Sequence, residues 1–132
     1  MTRAFLIGLC GLTGVAACAI NEMPTRRDGE RIFANNCAAC HDVDATGGAL
    51  IGGQDAPDLT LLAARNGGTF PRAQTLSTID GFGIGHAGRV MPEFGALLDN
   101  VELVPIEVDD VLTPTPQPFA AILFYLESIQ EP

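Results

Sequence analysis

Lysine and tryptophan are missing from this 132-residue chain, tyrosine occurs once, and histidine occurs twice. Without lysine, 7 arginines stand against 16 carboxylates, a formal net charge of −9. A surface so poor in cations cannot neutralise a row of phosphates, so nucleic acid is excluded as a partner class. Long apolar runs are short in supply too. The stretch Phe5 to Ala19 falls below the roughly 20 apolar residues that a membrane-spanning helix needs. Soft and nitrogen metal ligands are equally scarce, with the thiols confined to Cys10, Cys18, Cys37 and Cys40 and the imidazoles to His41 and His86.

What is present is concentrated in one pentapeptide. Cys37-Ala38-Ala39-Cys40-His41 is the Cys-x-x-Cys-His pattern of c-type haem attachment. Two thiols three positions apart can each add across a haem vinyl group, and the adjacent imidazole is held under the iron as its proximal ligand. A tetrahedral zinc site would need four ligands, and the other two thiols lie in the N-terminal apolar segment. A thioredoxin-like pair should follow a strand, whereas Gly29 to Asn36 reads as a polar helix with Ile32 and Phe33 as its apolar positions.

The N-terminal cysteines have a separate explanation. Arg3 precedes the apolar run Ala4 to Leu12, the layout of a secretory signal peptide, and Cys10 lies inside it. The run ends Val15-Ala16-Ala17-Cys18, which resembles the lipobox of bacterial lipoproteins, where cleavage precedes a lipid-bearing cysteine. This divides the chain into a signal peptide over 1–17, a polar tether over 18–27 and one domain over 28–132. Acyl chains on Cys18 would anchor the mature N-terminus in a bilayer. Ala17-Cys18-Ala19 also satisfies a small-x-small cleavage rule, which would release a soluble form. Either product places the domain on the periplasmic side of a bacterial membrane.

About a hundred residues then remain, enough for one small domain whose core a covalent haem would complete. Asp28 is expected to cap a first helix ending near Cys37, with Glu30 favourable in its first turn. The glycines of residues 47–53 forbid regular structure. Short helices are expected over Asp58 to Asn66 and Ala73 to Ile79, ended by Gly67 and Gly81. The Leu97 to Leu112 region lacks helical period and reads as extended. Thr115 as N-cap and Pro116 as first residue open a final helix, where Phe119, Ile122, Leu123, Leu126 and Ile129 share a face.

With Gly29 and Phe33 four apart, Cys37 four further on, and Ile122 and Tyr125 three apart, the chain resembles the class I, monohaem bacterial cytochrome c family. The resemblance spans roughly residues 28–130. It implies an all-α fold of short helices around one haem, the N- and C-terminal helices crossing at the glycine. It also implies Met91, in Val90-Met91-Pro92-Glu93-Phe94-Gly95, as the second axial ligand of the iron opposite His41. Methionine is also a common gap-filler of cores, and His86 in its glycine-rich loop is the competing ligand. Pro57 resembles the proline whose carbonyl accepts the Nδ1 proton of the proximal histidine, and Arg65 the arginine that meets a haem propionate. The family's propionate-binding tryptophan and its lysine docking ring have no counterpart here.

The expected function is a one-electron carrier with His/Met-ligated haem c and no enzymatic activity of its own. Its expected partners are redox proteins, and a basic docking face on such a partner would be steered towards this acidic chain. An electron-transfer subunit of a dehydrogenase or oxidase complex is the alternative, followed by a peroxidase-like or sensor haem protein.

Overall fold

The computed structural model describes residues 22–49, 53–81, 91–95 and 101–132. Helix α1 spans Arg26–Asn36. Its N-cap is Thr25 rather than Asp28, and the two residues close a capping box. The Asp28 carboxylate accepts from the Thr25 N–H at 2.9 Å, and the Thr25 hydroxyl accepts from the Asp28 N–H at 3.3 Å. Asp28 thus contributes at the third helical position, where its charge also suits the helix N-terminus. The helix therefore opens inside the stretch read from sequence as tether.

Helix α5, Gln117–Ser128, packs across α1. Gly29 is the contact point. A Cβ there would lie 2.6 Å from the Ala121 carbonyl carbon and 2.8 Å from Tyr125 Cβ, so only glycine permits this approach. One turn on, the Phe33 and Tyr125 rings meet with centroids 5.2 Å apart at 47°. The expected apolar face of α5 is buried at Phe119, Ile122, Leu123 and Leu126. Ala120, Ala121 and Tyr125 are buried as well, because other elements cover its remaining sides.

The strictly all-α expectation needs correction. Strands β1, Leu103–Val108, and β2, Val111–Pro116, form an antiparallel hairpin, with Val104 opposite Thr115 and Val108 opposite Val111. Asp109 and Asp110 make the turn with φ of 49° and 64°, the doubly left-handed geometry of a two-residue hairpin loop. Val104, Ile106 and Val108 point into the core. The hairpin also moves the start of α5. Thr115 pairs within the sheet, the Gln117 N–H donates to the Glu102 carbonyl at 2.9 Å, and Pro116 stays extended as the residue before the helix. The proline inside the first turn is Pro118.

Short helices α2, Ala38–His41, α3, Leu62–Arg65, and α4, Arg72–Asp80, complete the fold. Helix α3 starts later than the pattern suggests. The Asp58 carboxylate accepts from both the N–H and the hydroxyl of Thr60, at 2.9 and 2.6 Å, and winds that stretch into a turn. Gly81, with φ of 88°, ends α4 as expected. Arg72 forks onto both Glu127 oxygens and donates to the Glu107 carbonyl at 2.7 Å, tying α4, α5 and the hairpin together. Among the described residues, no helix is long and apolar enough to cross a membrane.

Candidate haem site

Cys37 closes α1, and the following turn of chain is α2, so the pentapeptide is wound rather than extended. The Cys40 and His41 N–H groups both donate to the Cys37 carbonyl, at 3.0 and 2.9 Å. Cys37 is half-buried, Cys40 is exposed, and neither is in a disulfide. Burial, with a smaller contribution from the neighbouring Cys40, pushes the Cys37 thiol up to about 11, so it stays protonated at neutral pH until it is alkylated.

His41 is buried, with its Nδ1 3.2 Å from the Pro57 carbonyl oxygen. A carbonyl can only accept, so Nδ1 is the donor in this contact and Nε2 is the ring nitrogen left to meet a ligand. Two chain segments hold that carbonyl in place. On one side the loop after His41 turns through Asp42 and Ala45, both at positive φ. The Leu59 N–H then donates to the Ala45 carbonyl and the Ala56 N–H to the Gly48 carbonyl, each at 2.8 Å. Gly47, with φ of 94°, lies so close to the Ala56 carbonyl that a side chain would collide with it. On the other side the Arg65 guanidinium donates to the Asp58 carbonyl at 2.7 Å. The Thr60 hydrogen bonds, helped by the Arg65 charge, hold the Asp58 carboxyl below its ordinary value.

Beside His41 and Pro57 lies a cavity of about 610 Å³, within the range of small-molecule and cofactor sites. Cys37, Cys40, His41, Pro57, Arg65 and Met91 all border it. Its apolar wall comes from Phe33, Leu59, Leu62, Ile79, Phe94, Ile122 and Leu126. Met91 is half-buried, and the segment bearing it is docked on α4 by the Phe94 N–H, which donates to the Ile79 carbonyl at 3.1 Å. Gly95 faces Asp80, whose carbonyl oxygen would lie 2.8 Å from an added Cβ. Cys18 and His86 lie outside the described residues.

The donor set fits a large, flat, apolar group with a ligatable centre. Among the described residues, no three His, Cys, Asp or Glu side chains are grouped to hold a bare metal ion. An imidazole with a free Nε2, a thioether, two thiols and an apolar cavity of this volume suit an iron that arrives inside its own macrocycle. Sequence reasoning missed the polar residues of α4, Gln74, Thr75 and Thr78, that also border the cavity. Their three- and four-residue spacing was visible, but nothing marked that face as inward. It missed Gln130 as well, a single polar residue beyond the last helix. A family model for Cytochrome c matches residues 27–130. No curated protein and no solved structure matches the chain.

Proposed function

The chain belongs to the cytochrome c family and carries covalently bound haem c with its iron, and from this premise we propose that it is a monohaem one-electron carrier of the class I type, with His41 and Met91 as axial ligands. When bound, the haem supplies one-electron exchange between ferric and ferrous iron. Cys37 and Cys40 hold it through thioethers, and His41 presents Nε2 to the metal. The Pro57 carbonyl fixes the His41 tautomer and raises the basicity of the ring. Arg65, exposed at the cavity rim, is suited to meet a propionate.

The observation that carries the reading is the placement of His41 and Met91 on the walls of one cavity. A thioether bound to the iron there would leave small substrates no open coordination position, which favours a carrier over an enzyme. It also favours the ferrous state relative to a second imidazole and raises the potential. The protein works on the periplasmic side of a bacterial membrane, anchored through lipidated Cys18, and meets redox partners with basic faces.

Met91→Ala tests the reading. It should retain covalent haem, lose the sulfur-to-iron charge-transfer band of the ferric protein, and have a lower reduction potential. A variant with the wild-type spectrum and potential would remove Met91 from the site. The mass of the mature protein tests the anchor, since a diacylglyceryl group on Cys18 adds hundreds of daltons, an increment that release of a soluble form would not leave.

A further inference from the structure

The C-terminal tail is bonded into the segment that holds the Pro57 carbonyl. Gln130 follows the end of α5 and uses three of its hydrogen-bonding positions at once. Its Nε2 donates to the Leu126 carbonyl at 2.7 Å and to the Leu59 carbonyl at 2.8 Å, and its Oε1 accepts from the Ala63 N–H at 2.8 Å. Next to it, the Glu131 N–H donates to the Thr60 carbonyl at 2.9 Å. Two tail residues thereby tie residues 59, 60 and 63 to α5, two positions beyond the carbonyl that faces His41.

We infer that Gln130 is a positioning residue for the proximal histidine, setting through residues 59–63 how closely the Pro57 carbonyl engages His41 Nδ1, and so the reduction potential. The inference rests on the proposed ligation by His41. Its physical basis is the geometry of restraint. The loop after His41 holds Ala56 and Leu59 from one side. Gln130 and Glu131 hold the stretch from the other, and they follow directly on α5, the helix that crosses α1, which leads into Cys37 and His41. The carbonyl is therefore fixed relative to the imidazole by a closed circuit, His41 to Pro57, residues 59–63, Gln130, α5, α1 and back. Opening the circuit at Gln130 removes the two side-chain bonds to Leu59 and Ala63 and leaves that side of the stretch held by the Arg65 bond to the Asp58 carbonyl and the Glu131 N–H alone. A weaker contact leaves less negative charge on the imidazole, stabilises the ferric state less, and moves the potential up.

The test compares the full haem-loaded protein with Gln130→Leu, Gln130→Glu and the control Glu127→Ala, which breaks the Arg72 fork elsewhere on α5. Midpoint potential, thermal midpoint, and solvent exchange of the His41 Nδ1 proton in the ferrous protein are measured on each. Gln130→Leu should shift the potential upward and speed Nδ1–H exchange about tenfold, the effect of losing one or two hydrogen bonds. Glu127→Ala should lower the thermal midpoint while leaving the potential and the exchange rate in place. Gln130→Glu keeps the acceptor for Ala63 but sets carboxylate oxygen against the Leu59 and Leu126 carbonyls; its added charge moves the potential by itself, so its readout is Nδ1–H exchange, which should also speed up. It decides the matter if the leucine variant does not fold.

A Gln130→Leu protein that is less stable but has the wild-type potential and exchange rate would overturn the inference, as would an equal potential shift in Glu127→Ala. A wild-type protein with no exchange-protected proximal imidazole proton would instead overturn the ligation by His41 on which the inference rests.

Discussion

The two walls of the cavity are built differently. His41 is buried, and the Pro57 carbonyl it meets is held by Ala45, Gly48, Arg65 and, through residues 59–63, Gln130. Met91 is only half-buried, and its segment leans on α4 through the Phe94 to Ile79 hydrogen bond and the close pairings of Gly95 with Asp80 and Gly81 with Glu93. The His41 side is held by a circuit of backbone and side-chain hydrogen bonds, whereas the Met91 side is a short segment laid on one helix. On the proposed ligation, the first fixes the orientation of a ring that would ligate in one tautomer, and the second has only to present a thioether, a group with flexible geometry and no tautomer to choose.

Breaking the proximal attachment should have the largest effect. Cys37→Ser with Cys40→Ser should abolish covalent haem, seen as free haem after denaturing extraction, and leave a domain whose main apolar nucleus is gone. Glycine substitutions then sharpen the contrast. Gly47→Ala places a side chain at φ of 94° against the Ala56 carbonyl and should cost about 1–3 kcal/mol of stability while disturbing the proximal ligand. Gly95→Ala meets Asp80 instead. It should alter the distal charge-transfer band with His41 Nδ1–H exchange unchanged, readable in one set of ferric spectra and ferrous proton exchange data.

The smallest effect is a pH dependence. The Asp58 carboxyl has its pKa lowered in the fold, first by the Thr60 hydrogen bonds and then by Arg65. A group lowered in this way contributes stability that is complete above its unfolded value, about 3.9, and is lost as pH falls through the lower folded value. Thermal midpoints measured from neutral pH into the acid range should therefore decline less steeply in Asp58→Asn, which retains an acceptor for Thr60 but cannot be protonated. An unchanged slope would mean that Asp58 takes no part in the acid transition.

How much of this was legible beforehand depended on the range of each signal. Cys37, Cys40 and His41 lie within one pentapeptide, so the attachment site could be read from local pattern, whereas the helix crossing at Gly29 was implied only by the family resemblance that Gly29, Phe33, Ile122 and Tyr125 carry. Gly81 marked a helix end by local pattern too. The hairpin was only half visible. Its lack of helical period showed extended chain, but Pro105, Pro114 and Pro116 argue against strands taken one at a time, and the pairing that wins joins residues on either side of Asp109-Asp110. That pairing then displaced the start of α5 from Thr115. The capping box at Thr25 was present as Thr-x-x-Asp, yet Asp28 itself was the more obvious cap. Gln130 had no local signature, because its meaning lies in partners such as Leu59 and Ala63, far away in sequence.

The most direct test of the central claim, a closed six-coordinate iron held by His41 and Met91, is a spectroelectrochemical titration of the full haem-loaded protein at neutral pH. A single one-electron wave is expected, low-spin in both oxidation states, with the sulfur-to-iron band present throughout the ferric form. A high-spin ferric spectrum, or a wave that splits with a change of axial ligand, would contradict it.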